Sequence, residues 1–235
     1  MAYTRRSLIC HWLVLLILPL TVQAQRAEDV VEYRVTSLDN ISEFLCEIDG
    51  DERTVYASLG ALSPALVAPD NRKVEYYDYI DAPDPKLPPI KRPLAQFKLP
   101  AGVGPFLTVL SSTESGQGLP YSAIVFDQSL ESHPSGQFKA YNFSKRRIAM
   151  RVGEHDLILQ PGETGLIPYP ADRKVWIKVA IESAESGWIL TQSSPVPVSA
   201  DTRTTLFVVD IPPSERDPNP KGVVLRKMRE RVSTL

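Results

Sequence analysis

The chain has 235 residues, of which 26 are basic and 28 acidic, so its formal net charge at pH 7 is −2. This balance argues against a nucleic-acid-binding surface, which needs clustered positive charge, and we predict no nucleic-acid partner. Cys10 and Cys46 are the two cysteines. Because Cys10 falls in the N-terminal segment described next, no pair remains for an internal disulfide, and packing must stabilise the fold.

Residues 1–24 have the three zones of a cleavable export signal. Arg5 and Arg6 form a basic start, an apolar run extends from Leu13 to Leu20, and a polar exit ends at Ala24. The run is shorter than the roughly 20 residues that a membrane-spanning helix needs. We therefore predict cleavage after Ala24, no membrane span afterwards, and an exported protein in the periplasm, at the cell surface or outside the cell. A signal retained as an anchor is the alternative.

The rest of the chain contains an internal repeat. At an ungapped offset of 101 residues, five residues recur in identical form, namely Pro69, Arg72, Lys73, Val74 and Phe106 as Pro170, Arg173, Lys174, Val175 and Phe207. Further upstream the offset is 104, and an alternating apolar triplet recurs as a similar triplet, namely Phe44, Cys46 and Ile48 as Ile148, Met150 and Val152. Because the matches are spread along the chain, we interpret it as two related halves.

Period-two alternation of apolar and polar residues predicts short strands throughout both halves. Turn residues such as Asp49-Gly50 and Gly153-Glu154 separate the strands, and no sustained helical period is seen. The prediction is an all-β chain of two tandem immunoglobulin-like β-sandwich domains, residues 28–127 and 137–226, joined by a linker over residues 128–136. In this strand pattern and repeat the chain resembles the tandem β-sandwich modules of exported bacterial proteins, a resemblance of fold that implies no mechanism.

Three further segments receive predictions. Residues 81–93 are rich in proline and are expected to form a stiff, extended surface segment. Val223 to Leu225 resemble Ala123 to Val125 and predict the final strand. Residues 227–235 are then expected to form a solvated basic tail, with Lys227, Arg229 and Arg231 as its charges.

Few side chains suggest chemistry. His133 and His155 are expected in exposed loops, and Cys46 is expected in a core. The acidic turn over residues 47–52 offers oxygen ligands to calcium, but the corresponding turn of the second half lacks them, which favours a solvated hairpin. Nucleophile-elbow, zinc-protease, phosphate-loop and dinucleotide motifs are absent from the sequence. We predict no metal, no cofactor and no enzymatic activity, with a glycoside-active enzyme as the weakest alternative.

Aromatic residues are the candidate ligand-binding residues. Trp176 and Trp188 flank a Ser/Gly turn, and Trp176 alternates outward with its neighbours Val175 and Ile177 inward, so we expect the two rings to pair across a hairpin. Tyr76, Tyr77 and Tyr79 occupy the related strand of the first half. Exposed aromatic rings offer large, rigid contact area, whereas the alternative is that they cover the interface between the halves.

These observations predict a non-catalytic exported module that binds an unidentified protein or cell-envelope component, or assembles at the envelope. The alternative function is a carbohydrate-binding module that holds a polysaccharide on the same five aromatic residues.

Overall fold

The computed structural model describes residues 30–39, 41–113, 118–171 and 174–232, and the predicted export signal over residues 1–24 lies outside them. The regular structure of the described residues is entirely β and comprises sixteen strands. No helix in these ranges is long and apolar enough to cross a membrane. The strands are β1 (Glu32–Ser37), β2 (Ser42–Ile48), β3 (Asp51–Ala57), β4 (Leu66–Val67), β5 (Lys73–Ile80), β6 (Ile90–Lys98), β7 (Phe106–Ser112), β8 (Tyr121–Asp127), β9 (Gln137–Asn142), β10 (Ile148–Val152), β11 (His155–Leu159), β12 (Thr164–Pro168), β13 (Lys174–Ser183), β14 (Gly187–Pro197), β15 (Thr202–Asp210) and β16 (Val223–Arg231).

The two halves share one topology, which confirms the predicted all-β tandem repeat. The first half pairs its strands in the orders β4-β1-β7-β8 and β3-β2-β5-β6, and the second half in the orders β12-β9-β15-β16 and β11-β10-β13-β14. We call the sheets containing β1 and β9 the inner sheets, and those containing β2 and β10 the outer sheets. In each half the first strand lies parallel to the seventh, and every other pairing is antiparallel.

Alternation along the strands builds one core per half. Phe44, Cys46 and Ile48 of β2 are buried in the first core, as their counterparts in β10 are in the second. The intervening Glu47 is exposed. The residues that the sequence pattern assigned to the core therefore lie there.

One match of the repeat is not a structural equivalence. The parallel ladders align Tyr33 with Phe106 in the first half and Phe138 with Thr204 in the second. Phe207 is therefore the counterpart of Val109, and Phe106 packs in the first core whereas Phe207 does not. The cause is a change of offset along the chain, since a shift of one residue moves a side chain to the opposite face of a sheet.

The inner sheets pack against each other at the junction between the halves. Their outward side chains form one apolar cluster, with Leu107 and Val109 from the first half and Tyr141, Phe207 and Met228 from the second. The four sheets therefore stack in the order outer, inner, inner, outer, with a core in each half and the junction between the two inner sheets.

The connection between β8 and β9 is tied to the junction. His133, expected to be exposed, is fully buried, and its Nδ1 lies 2.8 Å from Gln128 Oε1. Arg203 donates from Nη1 to the carbonyl oxygens of Gln128 and His133, at 2.6 and 3.0 Å. The loop is therefore held by hydrogen bonds to the second half.

Two segment predictions are corrected. β16 continues to Arg231, so residues 227–231 are not a solvated tail; Lys227 Nζ, for example, donates to Ser194 Oγ at 3.1 Å. The proline-rich segment lies at the surface as predicted but is extended only in part, since Ile90 to Pro93 pair with Tyr77 to Ile80 as the beginning of β6, whereas residues 84–87 form a turn. The tail prediction is wrong because cross-strand pairing holds residues that the local sequence marks as solvated.

Candidate ligand-binding face

The three predicted tyrosines do not form one exposed platform. Period-two alternation continues along β5, so Tyr76 shares the core side with Val74 while Tyr77 faces the other way. The extra residue of the β5–β6 ladder, Leu94, lies in β6. Tyr76 therefore points into the first core and stacks on Phe44, with 5.3 Å between the ring centroids, so its expected exposure is wrong. Burial raises the pKa of its hydroxyl well above the usual 10.

Tyr77 and Tyr79 lie on the solvent side of the first outer sheet, but Tyr77 is only 3% exposed. Lys91 Nζ covers it, 3.8 Å from the ring centroid. Both tyrosine hydroxyls donate to Glu52 Oε2, each at 3.0 Å. Burial and then this hydrogen bond raise the pKa of the Tyr77 hydroxyl. Tyr79 is thus the one ring of the three that offers surface to a ligand.

Trp176 and Trp188 are 54% and 42% exposed, on the solvent side of the second outer sheet. They do not pair across the hairpin, because their partners are Pro195 and Glu182. Trp188 lies opposite Glu182, six positions along β13 from Trp176, so the two tryptophans are about 20 Å apart at the usual rise per residue. Neither ring covers the interface between the halves, so that interpretation is wrong. The aromatic residues at the junction are Phe126, Tyr141, Phe143 and Phe207.

A row of four apolar residues crosses this sheet beside Trp188, one from each strand. In spatial order they are Ile158, Ala149, Ala180 and Leu190. Ile158 and Leu190 are about half exposed, and the two alanines between them form the floor of a depression of about 380 Å³. We call these four residues and Trp188 the apolar face.

Ion pairs line both sides of the apolar face. Arg151 binds Asp156 through two hydrogen bonds of 2.5 and 2.6 Å, which lower the pKa of the Asp156 carboxyl. On the other side Arg147 binds Glu182 at 2.9 Å, and its guanidinium lies 5.5 Å from the centroid of the Trp188 ring. Each of these pairs is neutral, and the further charge in the lining is that of Lys178. Because the floor and both ends of the depression are apolar, it suits an apolar group.

The equivalent row of the first half has larger side chains at its two central positions. Its members, from β3, β2, β5 and β6, are Thr54, Leu45, Tyr77 and Pro93. Leu45 and Tyr77 thus stand where the second half has Ala149 and Ala180, and Lys91 covers Tyr77. The repeat keeps the same backbone register and fills or empties this position through side-chain size alone.

Sequence reasoning missed the two alanines. A signal was available, because the offset of 104 that relates Phe44 to Ile148 also relates Leu45 to Ala149. Ala180 was harder to find, because the offset of 101 that matches Val74 with Val175 assigns Tyr79 to it, whereas the ladders make Tyr77 its counterpart. Small residues at two outward positions carry no signal by themselves.

A second concavity, of about 450 Å³, lies at the junction between the halves. Its charged side chains bind one another: Arg203 binds Glu230, and Arg34 lies 3.8 Å from the same carboxylate. Arg231 pairs with Asp201 at 3.1 Å. These arginines already have acidic partners, so the crevice offers less to a charged ligand than its composition suggests.

The remaining chemical candidates lie elsewhere. Cys46 is buried in the first core as predicted, and burial raises the pKa of its thiol to about 11, which keeps it protonated and unreactive at neutral pH. Within the described ranges, no three His, Cys, Asp or Glu side chains are grouped so as to hold a metal ion.

Comparison of the sequence with protein-family models and with curated proteins found no match.

Proposed function

We propose that this chain is an exported, non-catalytic binding protein whose apolar face holds side chains of another protein at or beyond the cell envelope. The observation that carries the proposal is the depression floored by Ala149 and Ala180. Exposed contiguous apolar surface is costly to leave in water and is typical of interaction sites. The first half fills the same place with Leu45 and Tyr77, so the fold does not require a depression there.

Two further parts of the proposal rest on the sequence and the topology. Eight strands per half, with the first parallel to the seventh, support an immunoglobulin-like assignment of both sandwiches. The three zones of residues 1–24 support export. Protein recovered from the periplasm or the culture fluid with Gln25 as its first residue would support export, whereas an intact chain retained in the cytoplasm would overturn it.

The binding proposal is tested with a phage-displayed library of random dodecapeptides, selected on the purified protein. We expect selected peptides to lose affinity by at least about tenfold in the Ala149→Leu variant, because the leucine fills the depression as Leu45 does in the first half. Trp188→Ala should weaken binding similarly by removing one wall. Isothermal calorimetry measures both changes.

Tyr56→Ala is the matched control, since Tyr56 is an exposed aromatic residue of the first outer sheet. It should leave affinity unchanged, and all three variants should unfold at temperatures close to that of the wild type. Failure to select any peptide, or equal affinity for the wild type and Ala149→Leu, would overturn the proposal.

Polysaccharide binding is the second candidate. It is favoured by the presence of Trp176 and Trp188 on the same outward surface, where two rings about 20 Å apart would contact separated sugar units of one chain. A glycan array and polysaccharide pull-down with the wild type and Trp176→Ala test it. Binding lost in the variant supports this candidate, and absence of any saccharide signal from the wild type rejects it.

A further inference from the structure

β14 is an edge strand whose exposed beginning is apolar. The strand pairs with β13 on one side only and carries no charged residue from Gly187 to Pro197. Trp188, Ile189 and Leu190 are all exposed. We call these three residues the free edge. Unpaired edges of this kind accept further strands, and most proteins protect them with charge, proline or cover.

The first half protects the equivalent residues. The ladders of β5 with β6 and of β13 with β14 place Lys91, Arg92 and Pro93 at the positions of Trp188, Ile189 and Leu190. Lys91 pairs with Glu75 at 3.0 Å, and Arg92 Nε donates to Asp78 at 2.9 Å. Two cations and a proline are devices that prevent strand addition, and the second half has apolar residues at all three positions.

The free edge has backbone groups available for pairing. Outside the ladder with β13, no hydrogen bond of the described residues uses the backbone of residues 187–191. In an edge strand every second residue presents its N–H and C=O away from the sheet. The later part of β14 is less available to a further strand. The Gln192 side chain accepts a hydrogen bond from the Leu225 N–H at 2.7 Å, and Pro195 and Pro197 have no backbone N–H to donate.

A second copy of the chain is a poor fit to the free edge. Two free edges paired about a twofold axis would share about five residues a side, roughly 17 Å of strand. A stable dimer usually buries about 1,200 Å² or more, which such a short ribbon does not provide. A flexible segment of another protein is less limited, because it can pair with the edge and also place side chains on the adjoining apolar face.

We propose that an extended, uncharged segment of another protein adds to the second outer sheet as a fifth strand beside residues 187–191. Its alternate residues are apolar, since those on the outward side pack against Trp188 and Leu190. An uncharged segment complements an uncharged edge and buries no unpaired charge. The inference rests on the proposed function and specifies how the apolar face recognises its ligand.

The test uses the library-selected dodecapeptides in two N-methylated series, with methyl groups on odd-numbered or on even-numbered amides. Strand addition uses one set of alternate amides, so one series should lose at least about tenfold in affinity while the other binds normally. Hydrogen exchange should slow at alternate amides of residues 187–191 when unmethylated peptide is bound. Ile189→Arg, which restores the residue type of Arg92 and leaves Trp188 and Leu190 in place, should weaken binding by a similar factor.

The outcomes separate this inference from the proposed function. Equal binding of both methylated series, without added protection at residues 187–191, would overturn strand addition while the apolar face remained a peptide-binding site. Peptides that bind the wild type and Ala149→Leu equally would overturn both. Loss of one series together with protection of the edge would support strand addition.

Discussion

At the scale of single residues, Thr108 is buried with an unsatisfied hydroxyl. Among the described residues no group lies within hydrogen-bond distance of its Oγ1. Its neighbours on adjacent strands are Val35 and Val125, and the register places Leu206 at the equivalent position of the second half. A buried hydroxyl without a partner costs free energy, so this position is a local defect in the first core.

We expect Thr108→Val to stabilise the protein by about 1 kcal/mol, because the shape is kept and the unpaired hydroxyl is removed. The midpoint of thermal unfolding should rise by roughly 2–4 °C. Thr36→Val is the matched control: Thr36 is equally buried, but its hydroxyl donates to the Ser58 carbonyl oxygen at 2.9 Å. That variant should be less stable than the wild type, and a less stable Thr108→Val would contradict the prediction.

His133 should make stability depend on pH. Burial, and secondarily the positive charge of Arg203, lower its pKa from 6.5 to about 3, so the folded protein keeps the ring neutral while the unfolded chain takes up a proton. The stabilising contribution is complete above about pH 6.5 and is lost as the pH falls towards 3, by at most about 1.4 kcal/mol per pH unit.

Denaturant unfolding at pH 7, 6, 5 and 4 measures this dependence. His133→Gln should show a shallower fall in the free energy of unfolding between pH 6 and 4 than the wild type. His155→Gln is the control, because His155 is exposed at the beginning of β11, and it should follow the wild-type curve. Parallel curves for His133→Gln and the wild type would show that another group causes the dependence.

At the scale of strands, period-two alternation in the sequence predicts which side chains face the core. The β2 and β10 triplets are buried as expected because alternation places them on one face whatever the partner strand is. The same alternation puts Tyr76 on the core side with Val74, whereas the extra residue Leu94 in β6 is invisible in that pattern. Changes of offset are equally hidden, which is why Phe106 and Phe207 match in sequence but face different parts of the molecule.

The end of β16 shows a second reason for failure. Lys227, Arg229 and Arg231 suggest a solvated tail, yet Met228 between them packs in the junction cluster. Residues 227–231 contain one apolar residue, Met228, so period-two alternation is too weak to indicate a strand there. The pairing with β15 identifies these residues as part of β16. The apolar face was predicted only in part, for a similar reason. Both tryptophans were predicted, whereas the depression depends on Ala149 and Ala180, which come together only through sheet register.

At the scale of the whole molecule, the junction joins the halves into one unit. Phe207 lies at its centre, with its ring 5.4 Å from Tyr141 and 5.2 Å from Phe143. Thr36 Oγ1 also lies 3.5 Å from Met228 Sδ across the junction. Apolar contact of this kind, supported by the hydrogen bonds of Arg203, couples the unfolding of the two sandwiches.

We therefore expect one calorimetric unfolding transition for the wild type. Phe207→Ala should lower stability by about 3–5 kcal/mol and divide or broaden the transition, because it removes packing between the halves. Phe44→Ala, in the first core, should destabilise the first half without removing a junction contact. Two separate transitions already present in the wild type would show that the halves unfold independently.

The contrast between Lys91-Arg92-Pro93 and Trp188-Ile189-Leu190 also bears on colloidal behaviour. A strand end that accepts one segment accepts others, including unfolded chains with exposed β-forming sequences. The charges beside it, on Arg147 and Glu182, neutralise each other and add little repulsion, so dilution and prompt occupation by the partner, rather than low ionic strength, would keep the molecule dispersed. The first half is thus protected against aggregation at this edge, while the second half presents a surface that is safe only when covered.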